Sequence, residues 1–232
     1  MLIFFTRILL VFLIPVTIFS QENIVSTDSV TQKQKYGLRI GFDINKLVNS
    51  SVNNNYDGFE LNADYRISNK LYIASEIGFI DNTEEEEYLN FTTKGTYIKS
   101  GIDYNMYTNW LDMQNMIFAG FRIGYSDFDQ IINNYTIYDT NNQIWGQSFI
   151  NTPINNEDLS SLWVELIIGV KAEIFNNLFL GFNLEVKKMI NSEIKNNIQN
   201  MYVPGFNKTF EGSSFGVGFG YKLSYLIPIV KK

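Results

Sequence analysis

The chain has 232 residues, a formal net charge of −6, and neither cysteine nor histidine. That excludes disulfides, thiolate or imidazole metal sites, Ser-His-Asp catalysis and the basic footprint of a nucleic-acid binder. Hydrophobic residues reach 45% and aromatics 16%, yet mean hydropathy is only −0.07. A bundle of apolar membrane helices is therefore excluded, whereas strands of alternating polarity are not.

The first element reads as a secretory signal peptide over residues 1–20. Arg7 supplies a positive n-region, Ile8 to Phe19 an apolar stretch, and Ser20 a small residue before Gln21. Residues 21–35 are polar and unpatterned, which predicts a flexible periplasmic lead-in. Residues 36–232 then carry one domain, marked by an alternation of period two that recurs eight times.

In the first predicted strand Leu38, Ile40, Phe42 and Ile44 alternate with Arg39, Gly41 and Asp43. The second sets Phe59, Leu61, Ala63, Tyr65 and Ile67 against Glu60, Asn62, Asp64 and Arg66. The third opposes Leu71, Ile73, Ile77 and Phe79 to Tyr72, Ala74, Glu76 and Gly78. The fourth carries Ile98, Ile102, Tyr104 and Met106 between Tyr97, Lys99, Gly101 and Asp103. The fifth runs Ile117 to Tyr125 with Arg122 on its polar face. The sixth runs Leu162 to Ile174 with Glu165, Lys171 and Glu173. The seventh runs Leu178 to Val186 with Glu185 and Lys187, and the eighth Phe215 to Tyr225 with Lys222. Pro228 is expected to end the last strand.

The connections alternate in length. Val48–Tyr56, Asp81–Lys94, Asp127–Ser161 and Lys188–Gly212 are long; Ser68–Lys70, Tyr107 to about Gln114 and Phe175–Asn177 are short. Long loops at one end and tight turns at the other predict an all-β fold: an eight-stranded antiparallel transmembrane β-barrel of outer-membrane type from a Gram-negative cell.

A soluble barrel would show the same alternation with the faces reversed, and volume decides between them. About 40 mostly bulky apolar side chains would overfill a lumen of this size. The opposite face holds Gly41, Gly101, Gly120, Gly124, Gly169, Gly181, Gly216, Gly218 and Gly220, which suit a crowded interior. The apolar face is therefore expected to meet lipid, with Tyr65, Phe79, Tyr104, Tyr125, Phe175, Tyr221 and Tyr225 as interfacial girdles. The lumen then receives Arg39, Asp43, Glu60, Asp64, Arg66, Glu76, Lys99, Asp103, Arg122, Glu165, Lys171, Glu173, Glu185, Lys187 and Lys222. Such charges must pair or stay wet, so a salt-bridged, plugged lumen is expected; a narrow channel for ions or small solutes is the alternative.

Ile67/Leu71 and Ile174/Leu178 bracket three-residue turns in which an Asn or Lys takes the left-handed conformation. Counting outward from them places Asn62 opposite Glu76 and Glu165 opposite Lys187. The run Glu84-Glu85-Glu86-Glu87 reads as a solvated loop, with a weak calcium site as the other reading. Tyr135, Tyr138, Trp145 and Phe149, set among many Asn residues, form the candidate binding surface or a lid over the mouth. Gly216-Val-Gly218-Phe-Gly220 lacks the following helix that a nucleotide loop needs.

The stretches GLRIGFDINK, GFELNADYRISNKLYIASEIG, TKGTYIKSGIDYNMYTNWLDMQNMIFAGFRIGYS, LWVELIIGVKAEIFNNLFLGFNLEVK and MYVPGFNKTFEGSSFGVGFGYKLSYLIPI span nearly all of the mature chain. They resemble a Bacteroidota family of small outer-membrane β-barrel proteins defined by a domain of unknown function. The resemblance implies the barrel and its membrane. It transfers no functional residue, because that family carries no established activity. The chain departs from many outer-membrane barrels in lacking a terminal aromatic, since Tyr225 is followed by Pro228 and a basic Lys231-Lys232 tail. The expectation is a monomeric, non-enzymatic barrel without cofactor or metal. Its partners are outer-membrane lipid and an extracellular ligand or surface sugar held by the long loops.

Overall fold

The computed structural model describes residues 35–107, 114–137 and 148–231, so the expected signal peptide and most of the lead-in lie outside it. Eight strands of this region close an antiparallel ring. They are β1 (Lys35–Asp43), β2 (Tyr56–Arg66), β3 (Leu71–Glu86), β4 (Leu89–Asn105), β5 (Met116–Ile137), β7 (Ile154–Phe175), β8 (Leu178–Ser192) and β11 (Phe215–Lys231). Short strands β6 (Ser148–Ile150), β9 (Tyr202–Val203) and β10 (Asn207–Lys208), and a helix α1 (Ile44–Val52), lie in the long connections. The ring is sealed where β1 pairs with both β2 and β11.

The two faces segregate as period-two alternation demands. Leu162, Leu166 and Ile168 of β7 are exposed, and Trp163, Glu165 and Ile167 between them are buried. Ile73 and Ile77 of β3 point outward, while Tyr72, Ala74 and Glu76 point in. The barrel is apolar outside and filled with polar and aromatic groups inside, the reverse of a water-soluble barrel.

Both counted registers hold, with Asn62 opposite Glu76 and Glu165 opposite Lys187. The turns themselves differ from expectation. A bulge near Ile174 leaves a two-residue turn between Phe175 and Leu178, with Asn177 left-handed at φ 66°. Ser68, Asn69 and Lys70 all keep ordinary φ values.

Four further expectations are corrected. Ile44 does not extend β1: Asp43 accepts a hydrogen bond from the Lys46 N–H (3.1 Å) and caps α1, which takes up most of the supposed Val48–Tyr56 loop. β11 runs through Pro228 to Lys231, because the register shifts between Tyr36 and Gly37 and Pro228 sits at this irregularity, where a missing N–H is tolerated. Most described residues of the supposed Asp127–Ser161 loop are strand, since β5 and β7 stay paired from Asp127/Ser160 to Ile132/Ile154 and β6 continues on β5. Glu84–Glu86 also belong to a ladder, with Glu84 opposite Phe91 and Glu86 opposite Leu89.

These extensions make β5 and β7 22 residues long each. β1 and β2, by contrast, have 9 and 11 residues. The surplus stands at the long-loop end as a palisade, low on the β1–β2 side and high elsewhere. On the low side, α1 packs against β2 and β11 where β1 has run out. The Ser50 hydroxyl accepts from the Gly58 N–H (2.7 Å), and its single proton is shared between the Lys46 and Gly58 carbonyls (3.0 Å each). One side chain thus satisfies the backbone N–H that β1 no longer meets.

Candidate functional site

The lumen is built in three layers. At the turn end, Tyr72, Met116, Phe118 and Ile167 form a small apolar cluster. The Arg39 guanidinium lies 4.6 Å from the Phe179 ring centre and 5.5 Å from that of Tyr72.

The middle layer is ionic. Asp64 bridges Arg39 (3.0 Å) and Lys171 (2.7 Å), and Asp103 bridges Lys171 (3.5 Å) and Arg122 (2.7 Å). Glu76 receives Lys99 and Lys222 (2.6 Å each) with Arg122 at 3.9 Å. Lys99 reaches Glu165 (3.7 Å), Glu60 (3.8 Å) and Glu185 (3.9 Å) as well. Lys187 lies 2.9 Å from Glu185 and 3.7 Å from Glu165, so its nearer partner is on its own strand rather than the one counted across the hairpin. Lys222 also approaches Glu60 (3.6 Å).

Thirteen of the fifteen lumenal residues read from the sequence enter this network. Arg66 and Glu173 serve the turn end instead. Arg66 donates to the carbonyls of Ser68 (3.1 Å) and Asn69 (2.8 Å), and Glu173 accepts from the N–H groups of Gln114 and Asn177 (2.8 Å each). The sequence reading missed Lys46. Projecting from α1, it reaches Glu60 (2.9 Å) and Asp43 (3.8 Å). With Lys46 included, seven cations face seven carboxylates in one connected cluster. That parity is what lets so many charges leave water together. A cavity of about 20 Å³ remains among Asp64, Glu76, Arg122 and Lys222, space for about one water.

The third layer is an inward-folded loop, also missed. Tyr202, Val203 and Phe206 are buried with Ile80, Phe91, Tyr97, Phe128, Leu159 and Trp163. Phe206 meets Trp163 edge-on, with centroids 6.1 Å apart. Gly205 takes φ 81° and sits so close to Tyr97 that a side chain there would collide with that ring and crowd Trp163. Its carbonyl accepts from Lys187 (2.7 Å), which ties this loop to the ionic layer.

A profile described as Domain of unknown function (DUF6048) matches residues 1–232. The chain belongs to that family. No curated protein matches this DUF6048 chain. Among solved structures, it is similar to Ail, the attachment invasion locus protein of Yersinia pestis, at 10% identity and a TM-score of 0.42, covering 84% of this chain and 98% of that one.

The candidate loop surface of the DUF6048 chain is only partly placed. Tyr135 packs against the aromatic layer and Phe149 is exposed. Tyr138 and Trp145 lie outside the described residues. The acidic run is tethered: Lys208 of β10 lies 2.6 Å from Glu86 and 3.5 Å from Glu84. That hydrogen bond raises Lys208 above the usual amine range and holds Glu86 below the usual carboxylate range. A lysine therefore neutralises the place the calcium reading assigned to an ion. Among the described residues, no group of three or more acidic side chains is arranged to hold a metal.

Proposed function

We propose that this protein is a monomeric, non-enzymatic outer-membrane barrel that does not conduct, and that its activity lies at the long-loop end, facing the cell exterior. The reading includes export by the N-terminal signal peptide and a Bacteroidota source. One observation carries it: an apolar exterior encloses an ionic lumen capped by the Tyr202–Phe206 plug. Such an exterior is stable only against acyl chains, and a closed ring leaves no backbone edge in them. Catalysis is disfavoured because histidine is absent and the buried carboxylates already hold lysine or arginine partners.

Three measurements test the parts. Membrane fractionation with heat-modifiable gel mobility tests the barrel and its compartment; a non-shifting band in the soluble fraction overturns both. The chain lacks cysteine, so Ser213→Cys on intact cells reports orientation through a membrane-impermeant maleimide. Labelling is expected, and protection until lysis reverses the topology. Refolded protein in a planar bilayer should be silent. Steady unitary currents that Arg122→Gln alters would establish the channel alternative instead.

A further inference from the structure

The loop that plugs the lumen also builds a groove on its outer side. This groove encloses about 460 Å³, within the range of small-ligand sites, and its floor includes Phe206 of the plug. Its lining contains no charged side chain. That is unusual for the exposed end of a chain that is 18% charged, and it matters for what can enter. The polar groups on its wall are neutral amides and hydroxyls, from Asn191, Gln199 and Ser213 among others, while the Asn200 amide and the Thr209 hydroxyl donate within the protein. Phe210 stands at the groove and is more than half exposed, an apolar face with no aromatic partner described.

Asn200 braces the groove. It is 6% exposed and lines the wall, and its Nδ2 donates to Ser192 Oγ (2.8 Å) and to the Glu193 carbonyl (2.7 Å), which fixes the loop against the end of β8.

We propose that this groove binds a neutral saccharide, stacking one sugar face on Phe210 and exchanging hydroxyl hydrogen bonds with the amide and hydroxyl lining. Neutral donors and acceptors suit a ligand that carries both along its length, and the nearest charges, Glu86, Lys208 and Glu211, line the adjoining recess that shares Gln199, Asn200 and Thr209 with the groove. The proposal rests on the reading that this end faces outward, which the Ser213→Cys labelling tests separately.

The experiment uses the full chain refolded in detergent and confirmed by its heat-modifiable band. Maltohexaose, cellohexaose and mannohexaose are titrated while tryptophan emission is followed, since Trp163 contacts Phe206 at the groove floor. At least one should bind saturably, hexagalacturonate should not, and Phe210→Ala should weaken binding about ten-fold. Calorimetry of Phe210→Leu, which keeps the bulk and loses the ring, separates stacking from packing and should resemble Phe210→Ala. Absence of saturable binding by all three neutral hexasaccharides, or affinity unchanged in Phe210→Ala, overturns the proposal. Because the titration is done in detergent on folded barrel, a negative result leaves the membrane reading intact.

Discussion

Lys99 is the residue on which the ionic layer most depends, and Lys99→Met tests the principle of charge parity. Its ammonium lies 2.6 Å from Glu76 and between 3.7 and 3.9 Å from Glu165, Glu60 and Glu185. Each of the longer contacts is worth about 4 kcal/mol gross at an effective dielectric of about 20. Desolvation of a fully buried ammonium takes back most of that total. Methionine keeps the volume but leaves seven carboxylates facing six cations, and stranding a buried charge in this way costs about 3–5 kcal/mol. The assay is reversible urea unfolding in lipid vesicles, read by tryptophan emission and gel mobility. Adding Glu76→Gln to the variant restores parity and should recover at least about 1 kcal/mol, although Glu76→Gln alone is destabilising. A single-variant loss below about 1 kcal/mol, or strictly additive losses in the double variant, would refute the balanced-cluster account.

Three more outcomes follow from the geometry. Ser50→Ala should cost about 1–3 kcal/mol by stranding the Gly58 N–H, with faster hydrogen exchange at the Gly58 amide; unchanged protection there would show that water or another group takes over. Gly124→Ala puts a methyl group into the Trp163 ring and should cost about 1–3 kcal/mol with altered tryptophan emission. Gly181→Ala, whose nearest neighbour would be Lys171 Cγ at 3.5 Å, should be tolerated, and equal effects at the two sites would contradict the packing. The Glu86–Lys208 tether should loosen in acid. Glu86 has a lowered folded pKa, so its contribution is complete above the ordinary carboxylate range and is lost as pH falls through the folded value. Exchange rates at the β3–β4 tip measured from pH 7 downward, with high salt as a comparison, check this.

Much of the wall was legible because a strand shows its two faces two residues apart. Trp163-Val-Glu165-Leu-Ile167 reads inside and outside directly, and a tight hairpin carries the register as far as Glu165 and Lys187. Legibility failed where the partner lies on another element. Ile44–Val52 follows smoothly from an alternating strand, and only the Asp43 cap and the Ser50–Gly58 contact make it a helix in the wall. Tyr202–Phe206 reads as a loop like any other. Its apolar residues acquire meaning from Tyr97 and Trp163, which sit on lumenal faces that otherwise carry charge. The strand extensions at the long-loop end escaped notice because neither of their faces needs to be uniformly apolar. The candidate saccharide groove depends on residues from Met189 to Ser214, gathered only once that loop turns inward.

The brevity of β1 has a mechanical corollary. It is held by five register pairs to β2 and nine to β11, whereas β4 and β5 share seventeen. A cylinder stitched so unevenly tears along its shortest seam. Pulled from either tail, the staves beside that seam should part first, while the tall far side, knit by its long ladders, is the last to give way.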